Sequence, residues 1–187
     1  MNVPNINVMK VIGRRVPYKL KGRSTSYSKE EVSPILTMGP DWTKIEEIDI
    51  EPPYSSVIIY FNQQTGEYIY YVNEPIIPDN LKNFIKLVKN NIIEEIDSDP
   101  EDIDERMAIL RKRIDDYALK SGANLSGIER ERVFYFVYRD FEGYGPIQVP
   151  MLDPNVEDIS CDGTNIPIHI FHRRLGSISS NIIYKDD

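Results

Sequence analysis

The sequence predicts an α+β fold: an antiparallel β-sheet packed with a three-helix unit and preceded by a flexible basic extension. Three observations carry that expectation. Segments rich in β-branched and aromatic residues stand on both sides of the chain's middle. Between them run three apolar stripes with helical 3-4 spacing. Capping residues bracket the stripes, while Gly and Pro punctuate the β segments.

Taken in order, residues 1–43 carry scattered Pro, Gly and Ser without a sustained period and read as an extension. Trp42 is expected to dock its end onto the body, since an apolar ring on a mobile arm finds a surface. Order is expected from near Ile45, and Pro52-Pro53 interrupts any regular element. Ser56 to Phe61 and Glu67 to Val72 read as two strands of a hairpin, with Asn62 through Gly66 as its longer loop. Tyr60, Tyr68, Tyr70 and Tyr71 resemble a base-stacking platform, but half-buried cross-strand pairing is the preferred reading.

In the first helix, Leu81, Phe84, Ile85, Val88, Ile92 and Ile96 share one face. Asp99-Pro100 is expected to open the second, as an N-cap followed by proline at the first helical position. Its stripe is Ile103, Met107, Leu110, Ile114 and Tyr117, and Lys120-Ser121-Gly122 closes it. Ser126 and Glu129 have capping-box spacing for the third helix, which buries Val133, Phe134, Val137, Tyr138 and Phe141 and ends at Gly143. Residues 44–145 thus form a hairpin plus three-helix unit. Residues 146–187 form an antiparallel β region that completes the domain, with strands Val156 to Cys161, Ile166 to His172 and Ile178 to Tyr184. The closing Asp186-Asp187 looks like the start of a further helix, so the chain is expected to be a piece of a longer protein.

Composition narrows function mainly by exclusion. A chain of 187 residues removes roughly 70% of its extended surface from water, enough for a substantial core. No apolar run approaches the ~20 residues that span a bilayer, and no secretory leader is evident. Cys161 is the single cysteine, so no internal disulfide can form and a reducing, cytoplasmic setting fits. Residues 1–29 hold Lys10, Arg14, Arg15, Lys19, Lys21, Arg23 and Lys29 with no acid. That leaves 15 of the 22 basic residues against all 30 acids, a balance of −15 within a net charge of −8. A basic arm on an acidic body suits nucleic acid, anionic lipid or an acidic neighbour. A solvated tail is preferred, because no aromatic interleaving or helical stripe accompanies the bases; nucleic acid is therefore disfavoured.

Metal and nucleophile chemistry find little support. Asp97, Asp99 and Glu101 alternate as in a calcium loop, but Asp102 occupies the place that needs glycine; Asp153, Asn155 and Glu157 fail in the same way at Asp158. His169 and His172 are three apart on a strand and so face opposite sides. Cys161 reads as a small buried hydrophobe. No Gly-x-x-x-x-Gly-Lys-Ser/Thr loop occurs, so this chain by itself is not expected to hydrolyse ATP, and no catalytic residue is assigned. What remains is a set of arginines at turns. Arg173 and Arg174 sit at a hairpin tip beside His172, and Arg139 ends the third helix. A guanidinium fork on a rigid turn suits a phosphate, so all three are candidates. For Arg139, complementing the helix dipole or pairing locally is the favoured alternative.

Several segments, in order, resemble one family: Pro52-Pro53-Tyr54 through Tyr71-Val72-Asn73-Glu74-Pro75, Arg139 to Pro146, Asp153-Pro154-x-Val156-Glu157-Asp158-Ile159-x-Cys161-Asp162-Gly163, Ile166 to Arg173, and Ser180-Asn181-Ile182. The family is the archaeal branch of the type II/IV secretion ATPases, which power pilus and archaellum assembly and secretion. The resemblance covers residues 50–187 and implies the N-terminal domain of a hexameric motor. On that reading ATP and Mg belong mainly to a C-terminal RecA-like domain not present in this sequence. The partners implied are that domain, neighbouring subunits and a polytopic membrane platform protein, at the cytoplasmic face of the membrane. The domain would cap the ATP cleft and pass motion to the platform, with Arg173, Arg174 or Arg139 facing phosphate and Gly143, Tyr144, Gly145 and Pro146 as a stiff transmission turn. The alternatives are a passive module that binds the platform protein, or a nucleic-acid binder acting through the basic arm.

Overall fold

A computed structural model describes residues 27–32, 34, 38–93 and 102–185. The basic extension up to residue 26, Ile96, and Asp97, Asp99, Pro100 and Glu101 lie outside the described residues. The fold is α+β, with six strands in one mostly antiparallel sheet. The elements are α1 (Lys29–Val32), β1 (Trp42–Glu51), β2 (Ser55–Asn62), β3 (Tyr68–Asn73), α2 (Asp79–Ile93), α3 (Ile103–Ser121), α4 (Gly127–Phe141), α5 (Gln148–Leu152), β4 (Val156–Ser160), β5 (Pro167–His172) and β6 (Gly176–Ile183).

The sheet order is β1-β2-β3-β6-β5-β4, so the two β regions, separated in the chain by three helices, form one surface. Their seam is the parallel pair β3–β6, which is short: Ile69 faces Ser179 and Tyr70 faces Ser180. Where the backbones diverge, Asn181 bridges them. Its amide accepts from Val72 N at 2.7 Å and donates to Val72 O at 2.9 Å. A side-chain amide has the same donor and acceptor as a peptide unit, so it extends the ladder.

Strand β1 departs from the sequence expectation, which placed Trp42 on an extension. Trp42 instead opens the sheet's edge strand, opposite Asn62. Register shifts at Ile45 and Ile50 break its two-residue alternation, and Glu46, Glu47 and Asp49 disguise it as a solvated segment. The helices follow their caps. Asp102, rather than Asp99, caps α3, its carboxylate accepting from Glu105 N at 2.9 Å. Gly122 closes α3 in the left-handed region at φ 72°. Ser126 and Glu129 form the expected capping box. Helix α4 ends at Phe141 with Glu142 as its cap, one residue short of Gly143.

Two hydrophobic cores result. Helices α1 to α4 enclose Leu81, Val88, Ile114, Phe134 and Val137 with the turn residue Tyr54. The other core lies on one sheet face, where Val57, Ile59, Tyr70, Ile168, Ile170 and Ile178 close over Val149 and Leu152 of α5. Helix α5 touches β1, β2 and β4, lying across the interior of the sheet. Sequence reasoning missed it because five residues containing Pro150 carry no periodic signal. The tyrosines are cross-strand partners: Tyr60 meets Tyr71 edge to face, and Tyr68 meets Phe61.

Candidate functional site

The predicted site residues separate into two places. Strand register decides this. Because β6 runs parallel to β3, its start at Gly176 lies at the same end of the sheet as the start of β3. The tight turn 173–175 between β5 and β6 therefore stands at that end. The helical unit holds the other end, through Tyr54 after β1 and Glu74 after β3. The arginine turn and the helical unit thus terminate opposite ends of one sheet.

At the helical end, Arg139 is nearly enclosed, its side chain 11% exposed. Its Nη1 donates to both oxygens of Glu74 at 3.0 Å, its Nε donates to Asp140 at 2.9 Å, and the guanidinium lies 4.8 Å from the Phe136 ring centre. Burial works against the charge here, but Glu74 and Asp140 outweigh it and hold the guanidinium firmly protonated. Tyr135 donates to the same Glu74 at 2.7 Å. Tyr54, following the cis Pro52–Pro53 peptide, donates to Glu131, which also receives Arg111. Burial first, then Glu131, raises the Tyr54 phenol well above its ordinary range.

The turn from Gly143 to Pro146 belongs to this end. Gln148 is fully buried; its Oε1 accepts from Tyr144 N at 2.7 Å and its Nε2 donates to Glu51 at 3.2 Å. A Cβ on Gly143 would meet Gln148 Oε1 and come within 2.7 Å of Arg139 O. Gly145 takes φ 59°, where a side chain is strained, and Pro146 follows in a single 3-10 turn. The segment is thus fixed by close backbone approach and by a buried amide bridging it to β1.

At the opposite end, Arg173 and Arg174 are 63% and 58% exposed. Arg173 Nε donates to Glu157 of β4 at 3.3 Å, and Arg174 pairs with Glu46 of β1. Their backbone is held from two sides. Arg173 N donates to Asn155 O at 2.9 Å, and Arg174 N donates to His172 Nδ1 at 3.3 Å. Beneath the turn lies a buried polar group that sequence reasoning did not assemble. Asp153 accepts from Tyr70 Oη at 2.8 Å and, as an Asx turn, from Asn155 N at 2.8 Å. Burial, reinforced by Asp153, pushes the Tyr70 phenol up. His172 is fully buried, and burial pushes its imidazole below the ordinary value. His169 points to the other, more open face, as the strand period requires.

Cys161 is a correction: it is exposed, at a strand end where no core lies beneath it, with Sγ 4.0 Å from Gly163 O. Among the described residues no group of three or more His, Cys, Asp or Glu is placed to hold a metal, and no helix is long and apolar enough to cross a membrane. Chemically, the arginine turn offers two exposed forks on a restrained backbone, a geometry suited to an anion.

No protein-family model matches the chain. An uncharacterized protein of Methanocaldococcus jannaschii is 27% identical over 191 residues, a similarity covering 98% of this chain and 75% of that protein. The likeness by itself assigns no activity.

Proposed function

We propose that this chain is the N-terminal regulatory and transmission domain of a hexameric type II/IV secretion ATPase of the archaeal kind. It caps the nucleotide cleft of a motor domain and passes ATP-driven motion to a membrane platform protein at the cytoplasmic face. The observation that carries the reading is the placement of the arginine turn and the helical unit at opposite ends of one sheet. Force taken up at an anion-facing end reaches the helices only through a stiff body. Here the sheet supplies that stiffness, and Glu74, Tyr135 and Arg139 join it to the helices by buried polar contacts.

Within this reading Arg173 and Arg174 approach the phosphates from outside the motor domain, adding charge where it develops during phosphoryl transfer. Arg139 is spent on Glu74 and acts as part of the joint. The family resemblance and the exposed, backbone-restrained forks support the assignment. The Methanocaldococcus protein has roughly 60 residues outside the matched region, near the lower end of the ~50–250 residues of a domain. With the motor present, Arg173→Ala combined with Arg174→Ala lowers the ATPase rate by ~10-fold or more, the scale of losing a phosphate-clamping charge. Unchanged turnover removes the phosphate role.

A further inference from the structure

We propose that His172 is a positioning residue which, while neutral, fixes the backbone of the Arg173–Arg174 turn, and that its protonation releases that turn without unfolding the sheet. The inference rests on the proposed anion-facing role of the turn for its purpose, though not for its physics.

Four features of the geometry point there. His172 is fully buried at the last position of β5, directly opposite Gly176 and Val156 of the two neighbouring strands. Its Nδ1 accepts from Arg174 N at 3.3 Å, which puts the proton of the neutral ring on Nε2. That Nε2 is buried with no hydrogen-bond partner among the described residues. Two further backbone anchors hold the turn, Arg173 N to Asn155 O at 2.9 Å, set by Asp153, and Leu175 N to His172 O at 3.2 Å, so the Nδ1 bond is the one that depends on the ring's proton.

Protonation attacks this arrangement at a defined bond. A charged imidazole carries N–H on both nitrogens, so Nδ1 can no longer accept from Arg174 N. The peptide N–H and the new ring N–H would then face each other in a partly buried site. Charges reach the ring from each element packed around it. Asp153, before β4, and Glu46, on β1, favour the protonated form, whereas burial and Arg174 oppose it. Tyr70 on β3 donates to Asp153, and Glu157 on β4 holds Arg173. The balance lies toward the neutral ring, so acid is needed to open the turn. Opening wets the imidazole, frees Arg174 from its restraint and loosens Leu175, while the fully buried Ile168 and Ile170 of β5 stay in the core. The least costly escape is therefore a local one.

The experiment is an NMR titration of the full 187-residue chain between pH 8 and 5, without nucleotide. It follows both histidine rings and the amide-exchange protection of each residue. The expected result is a His172 midpoint below the ordinary histidine value. As pH falls from the ordinary histidine value towards that midpoint, protection at Arg174 falls by up to ~10-fold per pH unit, the limit for one coupled proton. Ile58 and Val137, in the sheet and in α4, exchange through global unfolding and stay far better protected than Arg174 throughout. His169 serves as the reference ring. His172→Gln keeps an acceptor but does not titrate, so it retains turn protection at neutral pH and loses the pH response. Turn protection that ignores His172 titration overturns the proposal. So does protection at Ile58 and Val137 that is no higher than at Arg174 once the turn has opened, or an undiminished response in His172→Gln. If that variant does not fold, the wild-type titration decides alone. Because no motor enters the measurement, a failed ATPase test and a failed release test are separate results.

Discussion

The two ends of this sheet use arginine in opposite ways. At the helical end, Arg139 is almost enclosed and divides its donors between Glu74 and Asp140 over the Phe136 ring. At the other end, Arg173 and Arg174 are more than half exposed, with Glu157 and Glu46 as surface partners. Charge type is the same; water is the difference. Where water is excluded, an ion pair becomes part of the scaffold, because neither partner can be left alone. Where water remains, the pair is worth little and its cation stays free to exchange its carboxylate for another anion.

The sharpest way to break this comparison is at the enclosed end. Arg139→Ala leaves Glu74 facing Tyr135 without its main counter-charge, and a loss of about 3–5 kcal/mol is expected for one partner of a buried pair. Urea denaturation measures it. A loss below 1 kcal/mol would place Arg139 in the same class as the exposed arginines and erase the distinction.

Next in size is the turn that leads from α4 to α5. Gly143→Ala sets a methyl group against Gln148 Oε1 and Arg139 O, and overpacking of this kind costs about 1–3 kcal/mol. The same assay applies, and a neutral outcome would show that the Gln148 bridge yields easily. That result would argue against a stiff transmission turn.

The ends also differ in what local sequence revealed. The capping box of Ser126 and Glu129 was legible because both partners lie within one helical turn. The hairpin tyrosines were legible because pairing across a short loop follows from the loop itself. Strand β1 was not, since its acids are matched by Lys29 and Arg174, far away in the chain. The roles of the arginines were hidden for the same reason. Glu74, which makes Arg139 structural, lies 65 positions from it, and no local pattern announces such a pair. Asp153 was weighed as a failed calcium ligand, while its partner Tyr70 is 83 residues away. The orphaned Nε2 of His172 has no sequence signal, because it is created by burial alone.

Acid distinguishes the ends by a smaller amount. The folded His172 binds its proton less readily than an unfolded histidine, so stability from this group is complete above the ordinary pKa of about 6.5 and is lost as pH falls below it. The slope is at most about 1.4 kcal/mol per pH unit for a single proton. Comparing wild type with His172→Gln between pH 7 and 5.5 isolates it. Equal pH dependence in the two proteins would assign the acid sensitivity elsewhere.

The smallest expected stability effect belongs to the two arginines proposed to face phosphate. Arg173→Ala with Arg174→Ala removes two exposed ion pairs, each worth about 0–1 kcal/mol, so the denaturation midpoint should barely move. Neither side chain belongs to the core beneath, to which the turn contributes Leu175 instead. The backbone of the turn is held by Asn155 and His172, which the substitutions leave in place. A double variant that stays as stable as wild type while losing motor stimulation would separate function from folding at this end, as Arg139→Ala cannot at the other. A marked loss of stability would mean that the Glu46 and Glu157 pairs tie down the sheet edges. Arg173 and Arg174 would then join Arg139 as scaffold, leaving the protein without an exposed arginine pair to offer a phosphate at that turn.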